Sequence, residues 1–119
     1  PLMRAQAGGT ILNVSSIAGM RASVLSGPSY CASKFGMNAL GNSINLEESD
    51  NGIRCTNICP GETATELLDK RAKPPPPEVR LKMVQPEDIG EVAVMAASLP
   101  PRVIIPHMSI TGTTTIDLS

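Results

Sequence analysis

The sequence predicts an α/β fold in which three parallel strands alternate with two long helices. Apolar, β-branched runs at residues 10–16, 53–59 and 103–110 have the length and composition of strands. Helical runs separate them, one over residues 28–49 and one that begins at Pro86. A strand, a helix and a further strand form a unit whose strands are almost always parallel, so one parallel sheet is expected.

Glycines and prolines mark the ends of these elements. A helical tail over residues 1–6 precedes the first strand. The breakpoints that follow are Gly8-Gly9, Asp50-Asn51-Gly52, Pro60-Gly61, Pro86-Glu87-Asp88 and Pro100-Pro101. Pro106 lies inside the third predicted strand, which we therefore expect near a sheet edge. The apolar residues of the first strand and first long helix predict that both elements are covered on both faces.

A proline-rich segment connects the second strand to the second long helix. Residues 63–73 have short helical character, and four prolines, residues 74–77, follow them. Four prolines favour a stiff, extended conformation. We expect a spacer here, with one wall of a lid over a binding site as the alternative.

Composition and charge favour one globular domain that binds a small molecule. The chain has 119 residues and a formal net charge of −1 with scattered Lys and Arg, so neither nucleic acid nor membrane is an expected partner. No apolar run has the length of a membrane-spanning helix. No metal is expected, because no His, Cys or carboxylate cluster has ligand spacing. The sole histidine, His107, is predicted to be structural or exposed.

Three cysteines, Cys31, Cys55 and Cys59, cannot all pair with one another. The odd number favours a reducing compartment and hence a cytoplasmic location. On a strand, Cys55 and Cys59 would lie ~13 Å apart, beyond the ~7 Å reach of a disulfide. We therefore predict that both are small, buried hydrophobic side chains.

Polar residues follow the two adjacent predicted strands and start the helix between them. Ser15 and Ser16 end the first strand, Tyr30 and Lys34 begin the helix, and Pro60-Gly61 ends the second strand. In an open parallel sheet, ligands bind outside the carboxyl ends of the strands. These stretches are therefore expected to converge on one binding edge.

Tyr30 and Lys34 are four residues apart and so lie on one face of a helix, about 6 Å apart along its axis. A nearby ammonium favours the phenolate, which suits a general acid or base. Ser16 could donate a hydrogen bond to a substrate oxygen that gains negative charge. The alternative is that Tyr30 is a half-buried core residue. Against it, Tyr30 and Phe35 are the only aromatic residues of the chain, and both lie in this region.

Four blocks of sequence, in this order and spacing, resemble the short-chain dehydrogenase/reductase family. They are Asn13-Val14-Ser15-Ser16, Tyr30-Cys31-Ala32-Ser33-Lys34, Asn57-Ile58-Cys59-Pro60-Gly61 and Gln85-Pro86-Glu87-Asp88-Ile89-Gly90. The resemblance implies a Rossmann-type, doubly wound parallel sheet, of which residues 1–119 form the C-terminal, catalytic half as a single partial domain. The Gly-rich turn that cradles the cofactor pyrophosphate would then lie upstream of Pro1.

The resemblance also implies a function and a set of site residues. The expected activity is hydride transfer between NAD or NADP, with NADP slightly favoured, and a hydroxyl or carbonyl carbon of a small molecule. Tyr30 would be the general acid or base, Lys34 would support it and bond the nicotinamide ribose, and Ser16 would orient the substrate oxygen. Ser15 competes with Ser16 for that role. The implied cofactor-binding residues are Val14, Tyr30, Lys34, Pro60, Gly61, Thr63 and Thr65.

The expected partners are the missing N-terminal half of the same protein and a second copy that forms a homodimer or homotetramer. The first strand, unpaired on one side, would otherwise present an apolar edge that associates. Two alternative functions remain open. One is an enzyme similar to sugar-nucleotide epimerases and dehydratases, which the compact C-terminus disfavours, and the other is a truncated chain that only binds partners. Glu62 is interpreted as a solvated loop carboxylate, with a role in shaping cofactor or substrate access as the alternative.

Overall fold

The fold is a three-stranded parallel sheet with helices on both faces. The computed structural model describes residues 1–114. The strands are β1 (Gly9–Val14), β2 (Ile53–Pro60) and β3 (His107–Ile110), and they pair in the order β1-β2-β3. Both pairs are parallel, with Ile11 opposite Cys55 and Ile58 opposite Met108. The predicted α/β class and parallel sheet are therefore confirmed.

The helices begin and end close to the predicted breakpoints. The α-helices are α1 (Leu2–Ala5), α2 (Pro28–Glu48), α3 (Pro77–Arg80) and α4 (Pro86–Ser98). Short 3-10 helices occupy Ile17–Gly19, Ser49–Asn51 and Glu66–Lys70. Proline stands in the first turn of α2 and α4, where its missing N–H costs nothing. At the start of α4, Gln85 and Asp88 also form a reciprocal capping box, which the sequence analysis did not identify.

Three boundaries differ from the prediction. β1 ends at Val14, so Ser15 and Ser16 lie beyond the strand. β3 begins at His107, which is exposed as predicted, and Pro106 precedes the strand because proline has no N–H for the ladder. The Pro106 carbonyl still accepts a hydrogen bond from the Asn57 N–H at 2.9 Å. Within residues 1–114, β3 is the last strand in the order and lies at one edge of the sheet, as Pro106 predicted. Pro77 is not extended but starts α3.

Asparagine side chains fasten α2 to one face of the sheet. Asn57, fully buried on β2, donates to the Asn38 carbonyl of α2 at 3.1 Å and accepts from Asn13 of β1 at 3.1 Å. Gly41 lets the helix approach this closely, since a methyl group there would overlap the Asn57 amide. The amide of Asn45 bonds both the N–H and the carbonyl of Cys55, at 2.7 and 2.8 Å. These two hydrogen bonds give the Cys55 N–H and carbonyl the partners that a neighbouring strand would otherwise provide.

One arginine fastens α4 to the opposite face. Arg54 of β2 extends its guanidinium under the C-terminal end of α4 and uses all five of its N–H groups. Its acceptors are the Thr10 hydroxyl and the carbonyls of Ala97, Leu99, Pro100 and Val103. The last carbonyls of a helix have no partner within the helix and carry its negative dipole end, so a cation stabilises them.

The predicted coverage of β1 and α2 on both faces is wrong for the described chain. The residues of β1 are only partly buried, and Val14 is exposed, because β1 pairs with β2 alone within residues 1–114. On α2, Leu40 and Leu46 are exposed, and the helix packs through one side only. Association with a second copy through this outer face stays a prediction.

None of the helices within residues 1–114 combines the length and apolar character that crossing a membrane requires.

Cys31, Cys55 and Cys59 are unpaired and buried, in agreement with the prediction for Cys55 and Cys59. Burial raises the pKa of the Cys55 and Cys59 thiols above the ordinary value of 9.0.

Replacement of Arg54 by lysine should lower the free energy of unfolding by about 2–3 kcal/mol, because one ammonium cannot reach five acceptors. Urea denaturation followed by circular dichroism measures this change. The exposed Arg102 provides the matched control, and Arg102→Lys should change stability by less than about 0.5 kcal/mol. Equal losses in the two variants would contradict the structural role of Arg54.

The two buried thiols should make the protein less stable at alkaline pH. Because their folded pKa is raised, the unfolded chain loses these protons first, so stability is full below pH 9.0 and falls as the pH rises above it. Urea denaturation between pH 7.5 and 10 should give a smaller fall for the Cys55→Ala/Cys59→Ala double variant. An unchanged pH dependence in that variant would refute the expectation.

Candidate active site

A cleft opens at the carboxyl ends of β1 and β2. Its volume is about 780 Å³, within the range of small-molecule sites. The residues that follow β1, the start of α2, the end of β2 and the segment after β2 form its wall. The wall includes most of the residues that the sequence analysis selected, namely Ser15, Ser16, Tyr30, Pro60, Gly61, Thr63 and Thr65.

The two serines after β1 have different environments. Ser15 is buried, and its hydroxyl donates to the Lys34 carbonyl of α2 at 3.4 Å. Ser16 caps the 3-10 helix Ile17–Gly19, and its hydroxyl oxygen accepts from the Ala18 N–H at 3.1 Å. The hydroxyl hydrogen of Ser16 therefore stays available for a further acceptor in the cleft. Of the two residues, Ser16 has the geometry to contact a ligand.

Tyr30 and Lys34 occupy the first two turns of α2. The Lys34 Nζ lies 5.6 Å from the centroid of the Tyr30 ring and donates to the Val14 carbonyl at 3.4 Å. The Tyr30 side chain lines the cleft and is 44% exposed. Within residues 1–114 its hydroxyl has no hydrogen-bond partner, so it is free to contact a ligand.

A close backbone contact joins the serine turn to α2. Gly19 ends the 3-10 helix after Ser16, and a Cβ atom there would lie 2.6 Å from the Lys34 carbonyl and 2.7 Å from the Asn38 amide. A larger residue would push the turn away from the helix. Gly19 thus holds the turn that carries Ser16 against the helix that carries Tyr30.

The predicted cofactor residues fall into two groups. Pro60, Gly61, Thr63 and Thr65 line the cleft together, and the Thr63 hydroxyl donates to the Gly61 carbonyl at 3.2 Å. Among the described residues, the cleft wall does not include Val14 or Lys34. These two lie directly beside the wall. Val14 precedes the lining residue Ser15, the Lys34 carbonyl accepts from the Ser15 hydroxyl, and the Lys34 Nζ donates to the Val14 carbonyl.

Three charged residues lie on the cleft wall, and the sequence motifs included neither Arg21 nor Arg71. Glu62, predicted to be a solvated loop carboxylate, is partly exposed, with 36% of its side chain accessible, and it also forms an ion pair with Arg71 at 2.8 Å. Arg71 and the other lining arginine, Arg21, belong to no sequence motif, and the eight residues between Glu62 and Arg71 show no pattern that would predict their pairing. The part of the chain that the structure describes holds no group of three or more His, Cys, Asp or Glu side chains that could bind a metal ion.

Comparison with known proteins identifies relatives of the chain. The family model described as short chain dehydrogenase matches residues 1–75. Dehydrogenase/reductase SDR family member 6 from Xenopus laevis is 35% identical over 109 residues, which cover 82% of this chain and 44% of that protein. The chain thus spans less than half the length of this relative.

Solved structures agree with this assignment. The closed form of serine dehydrogenase complexed with NADP+ has a TM-score of 0.82 and 23% identity, and the match covers 98% of this chain and 49% of that one. A 7α-hydroxysteroid dehydrogenase complexed with NADH and 7-oxo glycochenodeoxycholic acid has a TM-score of 0.75 and 25% identity, with 93% and 46% coverage. The first match shows that the fold is the predicted Rossmann-type sheet. With the family model and the sequence relative, these matches establish that the chain belongs to the short-chain dehydrogenase/reductase family.

Proposed function

We propose that the protein is an oxidoreductase that moves a hydride between NAD or NADP and a hydroxyl or carbonyl carbon of a small molecule. The observation that carries this proposal is that Ser16 and Tyr30 line one cleft, with the Lys34 Nζ 5.6 Å from the centroid of the Tyr30 ring. Two stretches of chain, the turn after β1 and the start of α2, supply one hydrogen-bond donor, one proton-transfer group and one cation. An alcohol or a carbonyl is the functional group that uses all three.

Tyr30 is the general acid or base of the proposed reaction. In the oxidative direction the phenolate accepts the hydroxyl proton of the alcohol, and in the reductive direction the phenol returns a proton to the carbonyl oxygen. A bound nicotinamide supplies the carbon that accepts or donates the hydride at the substrate carbon. Lys34 stabilises the phenolate by its charge. Its ammonium is held near the ring by the hydrogen bond to the Val14 carbonyl.

Ser16 orients the oxygen atom of the substrate. Its oxygen is already used by the Ala18 N–H, so the hydroxyl is fixed in direction while its hydrogen can be donated. A donor aimed at an oxygen that gains negative charge stabilises the transition state more than the ground state.

The nicotinamide end of the cofactor fits the described cleft. Pro60 and Gly61 close the end of β2 and offer a surface for the ring, and Thr63 and Thr65 line the same cleft. The Thr63 hydroxyl hydrogen is donated to the Gly61 carbonyl, so its oxygen would act as an acceptor toward the cofactor. Val14 and Lys34 adjoin the same corner and would contact the ribose. The 7α-hydroxysteroid dehydrogenase that resembles this chain was solved with NADH, which supports a nicotinamide cofactor of either type.

Tyr30→Phe should lower turnover by about 10²- to 10⁴-fold, because the substituted ring has no proton to exchange. The dissociation constant of the cofactor should change little. Steady-state kinetics and a fluorescence titration of NAD(P)H measure the two quantities. Phe35 is equally exposed on the same helix, so Phe35→Leu is the matched control and should retain turnover. Full activity of Tyr30→Phe would rule out the proposed mechanism.

Ser16→Ala should lower kcat/KM by about 10²- to 10³-fold through loss of the donor to the substrate oxygen. Ser15→Ala removes a hydrogen bond to the Lys34 carbonyl, so its main effect should be a loss of about 1 kcal/mol of stability. Kinetics and urea denaturation of both variants separate the two roles. If Ser15→Ala lost activity and Ser16→Ala did not, the assignment would be reversed.

A further inference from the structure

We propose that the substrate is a hydroxy or oxo acid with an aliphatic body, and that Arg71 binds its anionic group. This inference rests on the proposed function, because it names a substrate class for the same cleft. It is argued from the cation on the cleft wall, from the way the chain holds this cation, and from the exposed leucines beside it.

Arg71 presents unused hydrogen-bond donors to the cleft. Its Nη1 donates to the Glu62 carboxylate at 2.8 Å, and within residues 1–114 this is its one hydrogen-bond partner. A guanidinium has five N–H groups, so four remain. The side chain is 37% exposed and lines the cleft. A planar guanidinium binds carboxylates and phosphates through two parallel hydrogen bonds, which makes an anion the ligand that fits this site.

The chain holds Arg71 in position before any ligand arrives. Glu62 directly follows Pro60-Gly61 at the end of β2, so the ion pair ties Arg71 to the rigid sheet edge. A cation that is fixed in advance loses little conformational freedom on binding.

Two leucines on the same wall favour an aliphatic body. Leu25 precedes α2 and is 75% exposed, and Leu67 belongs to the 3-10 helix Glu66–Lys70 and is 69% exposed. They come from separate segments, yet both border the cleft that contains Tyr30 and Arg71. An alkyl chain that covers them would remove apolar surface from water on both sides of the contact.

The test uses hydroxyoctanoates with the hydroxyl at carbon 3, 5 or 7, each compared with its methyl ester. The protein should prefer at least one acid over its ester in both kcat/KM and calorimetric binding. Arg71→Met should lower both quantities for that acid by about 10- to 100-fold, the effect of losing a charge-assisted pair of hydrogen bonds, and change the ester by less than about threefold.

Arg80→Met is the matched control, because Arg80 forms an equivalent ion pair in the same segment but does not line the cleft. This variant should leave the ratio of acid to ester unchanged. If both variants altered the ratio equally, Arg71 would act only through the fold of the segment and the proposal would fail. It would also fail if Arg71→Met weakened NADH or NADPH binding while the ratio stayed constant, since the guanidinium would then serve the cofactor phosphates.

The dependence of activity on the length of the substrate's alkyl chain tests whether the substrate has an aliphatic body. Leu67→Ala should reduce the preference for the chosen hydroxyoctanoate over 3-hydroxybutyrate by about tenfold, and an unchanged preference would refute this part. The two proposals can fail separately. Equal oxidation of acids and esters would support the oxidoreductase proposal and contradict the anion site. Arg71-dependent binding of an acid without any turnover would support the anion site and contradict the oxidoreductase proposal.

Discussion

The packing of the first two turns of α2 against the end of β1 is the contact on which the cleft depends. Ser15 bonds the Lys34 carbonyl, Lys34 bonds the Val14 carbonyl, and Gly19 lies against the same carbonyl of Lys34. These contacts join residues 14–19 to residues 30–34 at the edge where parallel strands deliver their carboxyl ends. Without them, the Ser16 hydroxyl and the Tyr30 phenol would lie on independent segments.

The groups that hold the fold are separate from the groups that face the cleft. Arg54 saturates five acceptors below α4, and Asn57, Asn38 and Asn45 saturate the interface between α2 and β2. All of these polar groups are at least partly buried and are satisfied within the chain, apart from the Asn38 Nδ2, for which no partner is found among the described residues. In the cleft, by contrast, the Tyr30 hydroxyl and most N–H groups of the Arg71 guanidinium have no partner among residues 1–114. Unsatisfied donors at an accessible surface are available to a ligand, whereas those in the core hold the helices on the sheet.

The segment after β2 contains both groups that hold the fold and groups that face the cleft. It leaves the sheet at Pro60, forms the 3-10 helix Glu66–Lys70, passes through the prolines and reaches α4. Its ion pairs, Glu62 with Arg71 and Asp69 with Arg80, link residues that are nine and eleven positions apart. The prolines restrict the backbone between the ion pairs and the start of α3. Leu67, Leu68 and Arg71 of this segment line the cleft, whereas the prolines at 74–77, for which a spacer or a lid wall was predicted, are not among its lining residues.

The sequence by itself determined the order of strands and helices, their ends at Gly52, Pro60 and Pro86, and the convergence of Ser16 with Tyr30 on one edge. Local chemistry fixes helix and strand ends, and chain chirality makes the strands of such a unit parallel. Only the tertiary structure decided that Ser15 bonds α2 while Ser16 faces the cleft, that Arg54 reaches four carbonyls beyond residue 96, and that Glu62 pairs with Arg71. These outcomes depend on distances between residues that are far apart along the chain, and neither periodicity nor motif spacing carries that information.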